Sequence, residues 1–166
     1  MIKKHYYLLV LLLFLPMQSF AQDYMSATFD FVQSLIGGGN AIGKTLRQVR
    51  QESELMLACI KASGDTIVYG ASEEDEGFQY VTIYEFKNNV CVERFVMFDD
   101  KYGGWIRDAF DVTIDVVNEV ANRGAIHNLK ALTNRLLFDY SGASFDIMIQ
   151  NEGAHFTLYA IYTPTK

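Results

Sequence analysis

The sequence is poor in basic residues, in cysteine and in long apolar runs, and each shortage excludes a class of protein. Lysine and arginine number 14 against 20 acidic residues, so the formal net charge is -6. Proteins that bind nucleic acids hold phosphates with clusters of basic side chains, which this acidic chain lacks. The apolar run over residues 6–15 is far shorter than the roughly 20 residues that a membrane-spanning helix needs. Half of the residues are hydrophobic, which excludes a disordered chain.

The N-terminal residues have the features of an export signal. Two lysines precede the apolar run over residues 6–15, and the small-x-small pattern Ser19-Phe20-Ala21 follows it. This order predicts a secretory signal peptide over residues 1–21, cleaved after Ala21. The remaining residues, 22–166, are expected to form a single exported domain, periplasmic or secreted, with no transmembrane span after signal cleavage.

Two cysteines allow at most one disulfide bond within the chain. Cys59 and Cys91 lie in segments with strand character, and an oxidising compartment favours a bridge, which would contribute about 2–4 kcal/mol. Two separate thiols are the alternative, because free cysteine often packs as a small apolar residue. Neither cysteine has metal-ligand spacing to His127 or His155, so we expect no zinc site and no other cofactor.

Hydrophobic periodicity predicts an α+β domain. Helical spacing predicts a first helix over residues 26–36, stopped by the breaker Gly37–Asn40, and a second helix over 45–54. Polar turns between β-branched and aromatic runs predict an antiparallel meander. Its four strands are expected over residues 55–62, 66–69, 78–86 and 90–98.

The C-terminal part is predicted to add helices and a hairpin. Helical periodicity explains more positions over residues 105–122 than strand alternation does, and Gly124 is the expected stop. The acidic side chains of this helix fall on its water face: Asp108, Asp111, Asp115 and Glu119. A further helix is predicted over 126–136, followed by strands over 137–140, 144–150 and 155–162. The fold class is therefore a mainly antiparallel sheet, a hairpin meander plus a C-terminal hairpin, packed against helices.

A phosphate-loop pattern occurs at Gly38–Thr45, where G-x-x-x-x-G-K-[ST] is satisfied. A nucleotide hydrolase would use Lys44 for the phosphates and Thr45 for magnesium, with Asp99 after an apolar run as the second acidic element. Such a loop belongs between a parallel strand and a helix, whereas this one follows a predicted helix and precedes hairpins. We therefore favour a flexible glycine turn that leads into the next helix, with Thr45 as its N-cap.

Signals of enzyme chemistry are sparse. There is no G-x-S-x-G nucleophile elbow, and His127 and His155 are isolated in the sequence. The acidic run Glu73–Glu76 lacks the alternating spacing of a calcium loop and is expected to be a solvated loop. A small exported hydrolase that uses a pair of carboxylates stays an alternative, because sequence does not show which carboxylates meet in space.

Aromatic residues supply 14% of the chain and favour binding. Phe78, Tyr80, Tyr84 and Phe86 share one parity of a predicted strand and therefore one sheet face. Core packing explains such a face if a helix covers it. If the face is open, we expect a binding surface that includes Tyr80, Tyr84 and Trp105. Trp105 also stands at the entrance of the predicted helix over 105–122, where it is expected to anchor that helix against the sheet.

The segment Gly43–Val49, a glycine followed by a short helix, leads into the predicted strands from Tyr80 to Phe98. This order resembles small exported modules of the SmpA/OmlA and beta-lactamase-inhibitor-protein-like types, over about a third of the chain. The usual proline after the short helix is missing. The resemblance implies a non-catalytic binding or scaffold role in the bacterial envelope, with a protein or other envelope component as partner.

Overall fold

The computed structural model describes residues 28, 30–54, 57–73, 78–100, 104–153 and 155–165. The expected signal peptide and most of the acidic run Glu73–Glu76 lie outside these residues. The described chain forms one eight-stranded antiparallel sheet packed against helices, so the predicted α+β class is confirmed.

Helices and strands follow the predicted order over most of the chain. Helix α1 occupies residues 30–37, a 3-10 helix follows at Gly38–Ala41, α2 is Leu46–Ser53 and α3 is Gly104–Asn122. The first four strands are β1 Ala58–Ser63, β2 Thr66–Glu73, β3 Phe78–Lys87 and β4 Val90–Asp100. The last four are β5 His127–Leu132, β6 Arg135–Tyr140, β7 Ala143–Glu152 and β8 His155–Pro164.

Two antiparallel meanders make up the sheet. Its strand order is β1-β2-β3-β4-β8-β7-β6-β5, so the last strand of each meander pairs with the other at the centre. Helix α3 connects the two meanders along the chain. Short turns hold the hairpins, and at Asn88 and Asn89 both residues have positive φ, which asparagine tolerates well. The C-terminal part is therefore a four-stranded meander rather than the predicted hairpin.

The predicted helix over residues 126–136 is wrong, because this segment forms the hairpin β5–β6. Ile126, Leu129, Leu132 and Leu136 have helical spacing in the sequence. A bulge between His127 and Lys130 and the turn after Leu132 place them differently. Leu136 is fully buried, whereas Leu132 is 58% exposed at the sheet edge. An edge strand with one extra residue imitates a helical period over a short window.

The three α-helices of the described residues cover the same face of the sheet. The larger core joins α1 and α3 to the central and C-terminal strands, with Phe110, Val117 and Tyr162 fully buried. The smaller core joins Val49 of α2 to β2, β3 and the start of β4. On the opposite, outer face, half-buried apolar side chains follow the alternation of the strands. They include Ile83, Phe95, Met97, Tyr159 and Ile161.

The glycine-rich segment is not the flexible turn that the sequence predicts. A Cβ atom at Gly38 would lie 2.3 Å from the Tyr162 ring, and one at Gly39 would lie 2.6 Å from the Phe145 ring. Both glycines are buried, and the segment forms the 3-10 helix. Glycine is required here because the backbone lies directly against aromatic rings.

Helix α3 begins and ends as predicted, with Gly124 at φ +80 after its last turn. Asp108, Asp111, Asp115 and Glu119 are exposed. Asp111 pairs with Arg107, and Glu119 pairs with Arg123. No helix in the described part of the chain is long and apolar enough to cross a membrane.

Candidate ligand-binding site

Arg94 lies on the helix-covered face of β4, where apolar side chains would be expected. Strand alternation places it on the same face as Val96 and Phe98, which are buried. Its register partners are Tyr84 on β3 and Tyr162 on β8. The sheet therefore brings a cation to its centre, between two tyrosines.

Three hydrogen bonds hold the Arg94 guanidinium. Nε donates to Thr82 Oγ1 at 3.2 Å, Nη1 donates to the Gly38 carbonyl at 3.2 Å, and Nη2 donates to Tyr80 Oη at 3.1 Å. Its Cζ lies 5.3 Å from the centre of the Tyr84 ring and 5.5 Å from that of Tyr162. Cation–π attraction adds to these bonds, so the side chain is fixed from several directions.

No carboxylate of the described residues forms an ion pair with Arg94. Burial acts to lower the pKa of Arg94, but the neighbouring tyrosines, Tyr84 foremost, outweigh it, and the net pKa is raised. Arginine stays protonated in proteins. The site therefore contains a positive charge whose solvation has been replaced by neutral groups, and such a charge favours an added anion.

The roof over Arg94 is built by residues 37–53. Cross-strand bonds anchor it to β4, with the Gly43 amide donating to the Cys91 carbonyl at 2.9 Å and the Cys91 amide donating to the Lys44 carbonyl at 2.8 Å. Thr45 caps α2 as predicted, and Gln48 completes a capping box. Lys44 Nζ pairs with both carboxylate oxygens of Glu52, at 2.7 and 2.8 Å.

A cavity of about 320 Å³ lies between this roof and the sheet. Pockets that bind small molecules start at roughly this size. Arg94, Tyr80 and Tyr84 line it from the sheet side. From α1, the roof and the segment after α2 it is lined by Ser34, Gly37, Asn40, Ala41, Lys44, Val49, Glu52, Ser53 and Leu57.

Hydroxyl groups add to the polar side of this cavity. Ser53 Oγ donates to Tyr84 Oη at 3.4 Å, and Tyr80 Oη accepts from Arg94. A guanidinium cannot accept, so Tyr80 Oη is the acceptor in its bond with Arg94, and its own hydrogen is available to a ligand.

Two of the three predicted binding-face aromatics line the cavity, and the third lies outside it. Tyr80 and Tyr84 both line the cavity. Trp105 packs at the start of α3 instead, with its ring centroid 4.9 Å from that of Phe31 and its Nε1 donating to Thr28 Oγ1 at 3.0 Å. Helices cover the face that carries Tyr80 and Tyr84, so it is an interior surface with a cavity.

The structure separates the phosphate-loop residues. The segment Gly38–Thr45 follows a helix, and the sheet is antiparallel, so the strand–loop–helix context is missing. Lys44 is paired with Glu52, and the Thr45 hydroxyl belongs to the α2 cap. Asp99 lies on the outer sheet face, where it accepts from Thr157.

Cys59 and Cys91 are free thiols in this structure. Cys59 is exposed on the edge strand β1, and Cys91 is buried on β4. Strands β2 and β3 lie between them, and three steps of about 4.8 Å put β1 and β4 about 14 Å apart. The register places Cys59 opposite Val96 rather than Cys91, so the two thiols are further apart still. A disulfide needs Cα atoms within roughly 7 Å, so this sheet does not allow the bridge considered for the sequence.

His155 and Asp99 meet on the outer face. His155 Nε2 lies 2.5 Å from Asp99 Oδ1, and Thr157 Oγ1 donates to the same oxygen at 2.8 Å. No serine or cysteine of the described residues is hydrogen-bonded to this histidine. His127 is exposed at the start of β5, and the described residues contain no cluster of metal-ligating side chains.

A second cavity, of about 450 Å³, lies along β5, β6 and β7. Its acidic residue Asp139 accepts from Ser144 Oγ at 2.6 Å and from Asn128 Nδ2 at 2.5 Å. These bonds lower the pKa of Asp139. Because these two donors already satisfy the Asp139 carboxylate, this cavity is a weaker candidate for a ligand site than the Arg94 cavity.

Sequence reasoning missed Arg94, although a signal was present. Arg94 shares parity with Val96 and Phe98 in a strand whose alternate residues are apolar. A charged residue in phase with core positions is a candidate for a buried functional group.

Comparison with protein-family models gave no match, and searches of curated proteins and of solved structures gave none either.

Proposed function

We propose that this protein is an exported, non-catalytic binding module that holds an acidic group of its ligand against Arg94. The observation that supports this function is a guanidinium without a carboxylate partner in the described residues, facing a cavity of ligand size. The predicted signal peptide and the resemblance to envelope modules agree with a binding role outside the cytoplasm. The partner is then a molecule or envelope component that presents an acid.

Titration calorimetry tests the binding site. Protein purified from cells that express the full chain is titrated with benzoate, phenylphosphonate and inorganic phosphate. We expect at least one acid to bind, and its affinity to fall at least tenfold in Arg94→Gln. Arg135→Gln is the control, because it breaks the surface pair Arg135–Asp146 away from the cavity. Absence of acid binding, or binding that Arg94→Gln leaves unchanged, would contradict the proposal.

Export is tested by the mass of the protein recovered from expressing cells. We expect a chain that begins at Gln22 in the periplasmic or culture fraction, because cleavage follows Ala21. An intact N-terminus on protein that stays in the cytoplasmic fraction would show that the first residues are not an export signal.

A small hydrolase is the second candidate, and the contact between His155 and Asp99 is the arrangement that favours it. A histidine oriented by a carboxylate can act as a general base. Hydrolysis of p-nitrophenyl acetate that is lost in both His155→Gln and Asp99→Asn would replace the binding proposal with an enzymatic one. We expect release of nitrophenol at the buffer rate in the unaltered protein and in both variants.

A further inference from the structure

On the basis of the proposed function, we propose that the Arg94 cavity takes a single carboxylate attached to a compact apolar body. Two sources share this chemistry: a free organic acid, and the C-terminal carboxylate of a peptide whose last residue is apolar. The charge of the cavity, the number of free donors on Arg94 and the chemistry of the cavity walls all support this class.

Charge limits the ligand to a monoanion. Among the described residues that line the cavity, Arg94 and Lys44 are cations and Glu52 is an anion. Glu52 is paired with Lys44, so the lining has a net charge of one positive unit. A carboxylate neutralises that charge. A phosphate or phosphonate dianion would leave a negative charge in a partly buried site and would be repelled by Glu52.

The donors of Arg94 match two oxygens. A guanidinium has five N–H groups, and Thr82, Gly38 and Tyr80 use three of them. The two that remain are on different nitrogens, one on Nη1 and one on Nη2. Neighbouring guanidinium nitrogens bind the two oxygens of a carboxylate in a two-pronged arrangement. The hydroxyl hydrogen of Tyr80 can support the same oxygens.

The walls select an apolar body. Ala41, Val49, Leu57 and the tyrosine rings face the cavity. Its volume of about 320 Å³ suits one aromatic or branched aliphatic group. Ammonium groups find poor acceptors here, because the carboxylate of Glu52 is already bonded through both oxygens to Lys44.

Calorimetry with matched probes tests this class. Phenylacetate is compared with acetate, which lacks the apolar body, with phenylphosphonate, which is a dianion above neutral pH, and with phenethylamine, which is a cation. Gly-Gly-Phe and its C-terminal amide test the peptide source. We expect phenylacetate or free Gly-Gly-Phe to bind at least tenfold more tightly than every other probe and than the amide.

The binding pattern distinguishes the two sources. Phenylacetate stronger than Gly-Gly-Phe supports a free acid, and the reverse supports a chain terminus. Acetate equal to phenylacetate would overturn the requirement for an apolar body. Phenylphosphonate bound as tightly as phenylacetate, and dependent on Arg94, would overturn the monoanion class while the proposed function stands. Absence of binding by every acid would overturn both.

Two variants separate charge from geometry. Arg94→Lys keeps the charge but loses the two-pronged donor, so we expect at least tenfold weaker carboxylate binding. Glu52→Gln alters a side chain that is 60% exposed and leaves Lys44 unpaired. We expect this change to strengthen phenylphosphonate binding at least fivefold and phenylacetate binding by less. An unchanged preference in Glu52→Gln would contradict the charge argument.

Discussion

The two meanders of the sheet have the same number of strands but are covered differently. Helix α3 has 19 residues and α2 has 8, which correspond to lengths of about 28 and 12 Å. The longer helix packs Ile106, Phe110 and Val117 into the larger core without exposure. The shorter helix contributes one fully buried apolar side chain, Val49, and the cavity lies beside it.

Coverage therefore decides where the sheet leaves a cavity. Strands of 10 and 11 residues, such as β3 and β4, are about 35 Å long, so an eight-residue helix cannot cover them. The space that α2 leaves beneath the roof is lined on the sheet side by Arg94, Tyr80 and Tyr84. The half under α3 supplies most of the buried core, and the half under α2 supplies the site.

The variant with the largest expected effect tests how the roof packs against the half of the sheet under α3. Gly38→Ala places a methyl group 2.3 Å from the ring of Tyr162, which is fully buried and donates to the Leu35 carbonyl. We expect a loss of about 3 kcal/mol in the free energy of unfolding, measured by urea denaturation. Arg94 also loses its contact with the Gly38 carbonyl, so acid binding should weaken.

Gly37→Ala is the matched control for this change. A Cβ at Gly37 has no neighbour closer than 3.9 Å, and the residue lies at the end of α1. We expect its stability to change by about 0.5 kcal/mol or less, or to increase through helix propensity. Equal losses in both variants would show that Gly38 does not lie against Tyr162.

A pH titration tests whether water is excluded from the smaller core, which lies beneath the cavity. Burial raises the pKa of Cys91 from 9.0 to about 11, so the folded state holds the thiol proton more tightly than the unfolded chain. The stabilisation is present below pH 9 and is lost as pH rises towards 11, a loss of about 2–3 kcal/mol. Burial also raises the pKa of Tyr69 and Tyr162, which adds a loss above pH 10.

Cys91→Ala isolates the cysteine contribution. We expect this variant to lose less stability between pH 9 and 11 than the unaltered protein, when both are measured by urea denaturation. Identical slopes would indicate that water reaches the thiol and that the smaller core is open.

A matched pair of valines compares the two halves directly. Val117 on α3 and Val49 on α2 are 0% and 2% exposed. We expect Val117→Ala to cost about 2–3 kcal/mol and Val49→Ala about 1 kcal/mol, because Val49 borders space that is already open. Urea denaturation measures both. A larger loss for Val49→Ala would mean that the half under α2 is packed as densely as the other.

The smallest effect concerns the start of α2. Thr45→Ala removes the capping side chain that accepts from the Gln48 amide, and we expect a loss of about 1 kcal/mol. Thr133→Ala, in the exposed β5–β6 turn, is the control and should change stability by no more than about 0.5 kcal/mol. A thermal scan of the two variants is sufficient to compare them.

Local patterns predicted most elements of the fold because their turns and caps are encoded locally. Asn88-Asn89 sets one hairpin, Thr45 starts α2, and Gly124 follows the end of α3. The helix prediction over 126–136 was wrong because a bulge in the edge strand disturbs the two-residue period. Pairing between β4 and β8 involves residues more than 50 positions apart, and no short pattern specifies it.

The site was harder to predict, because it depends on contacts between distant segments. Tyr80 and Tyr84 were selected for their aromatic character, and both line the cavity. Arg94 was missed because strand alternation shows which residues share a face but not which face the helices cover. The role of Gly38 follows from the position of Tyr162, which is 124 residues further along the chain.

Both edges of the sheet carry the same irregularity. Strand β1 has a bulge between Cys59 and Lys61, and β5 has one between His127 and Lys130, so an exposed lysine follows each bulge. An incoming strand would meet a broken ladder and a charged side chain at either end. The sheet therefore resists growth by edge-to-edge addition, and two copies that meet at their edges would not extend into a fibre.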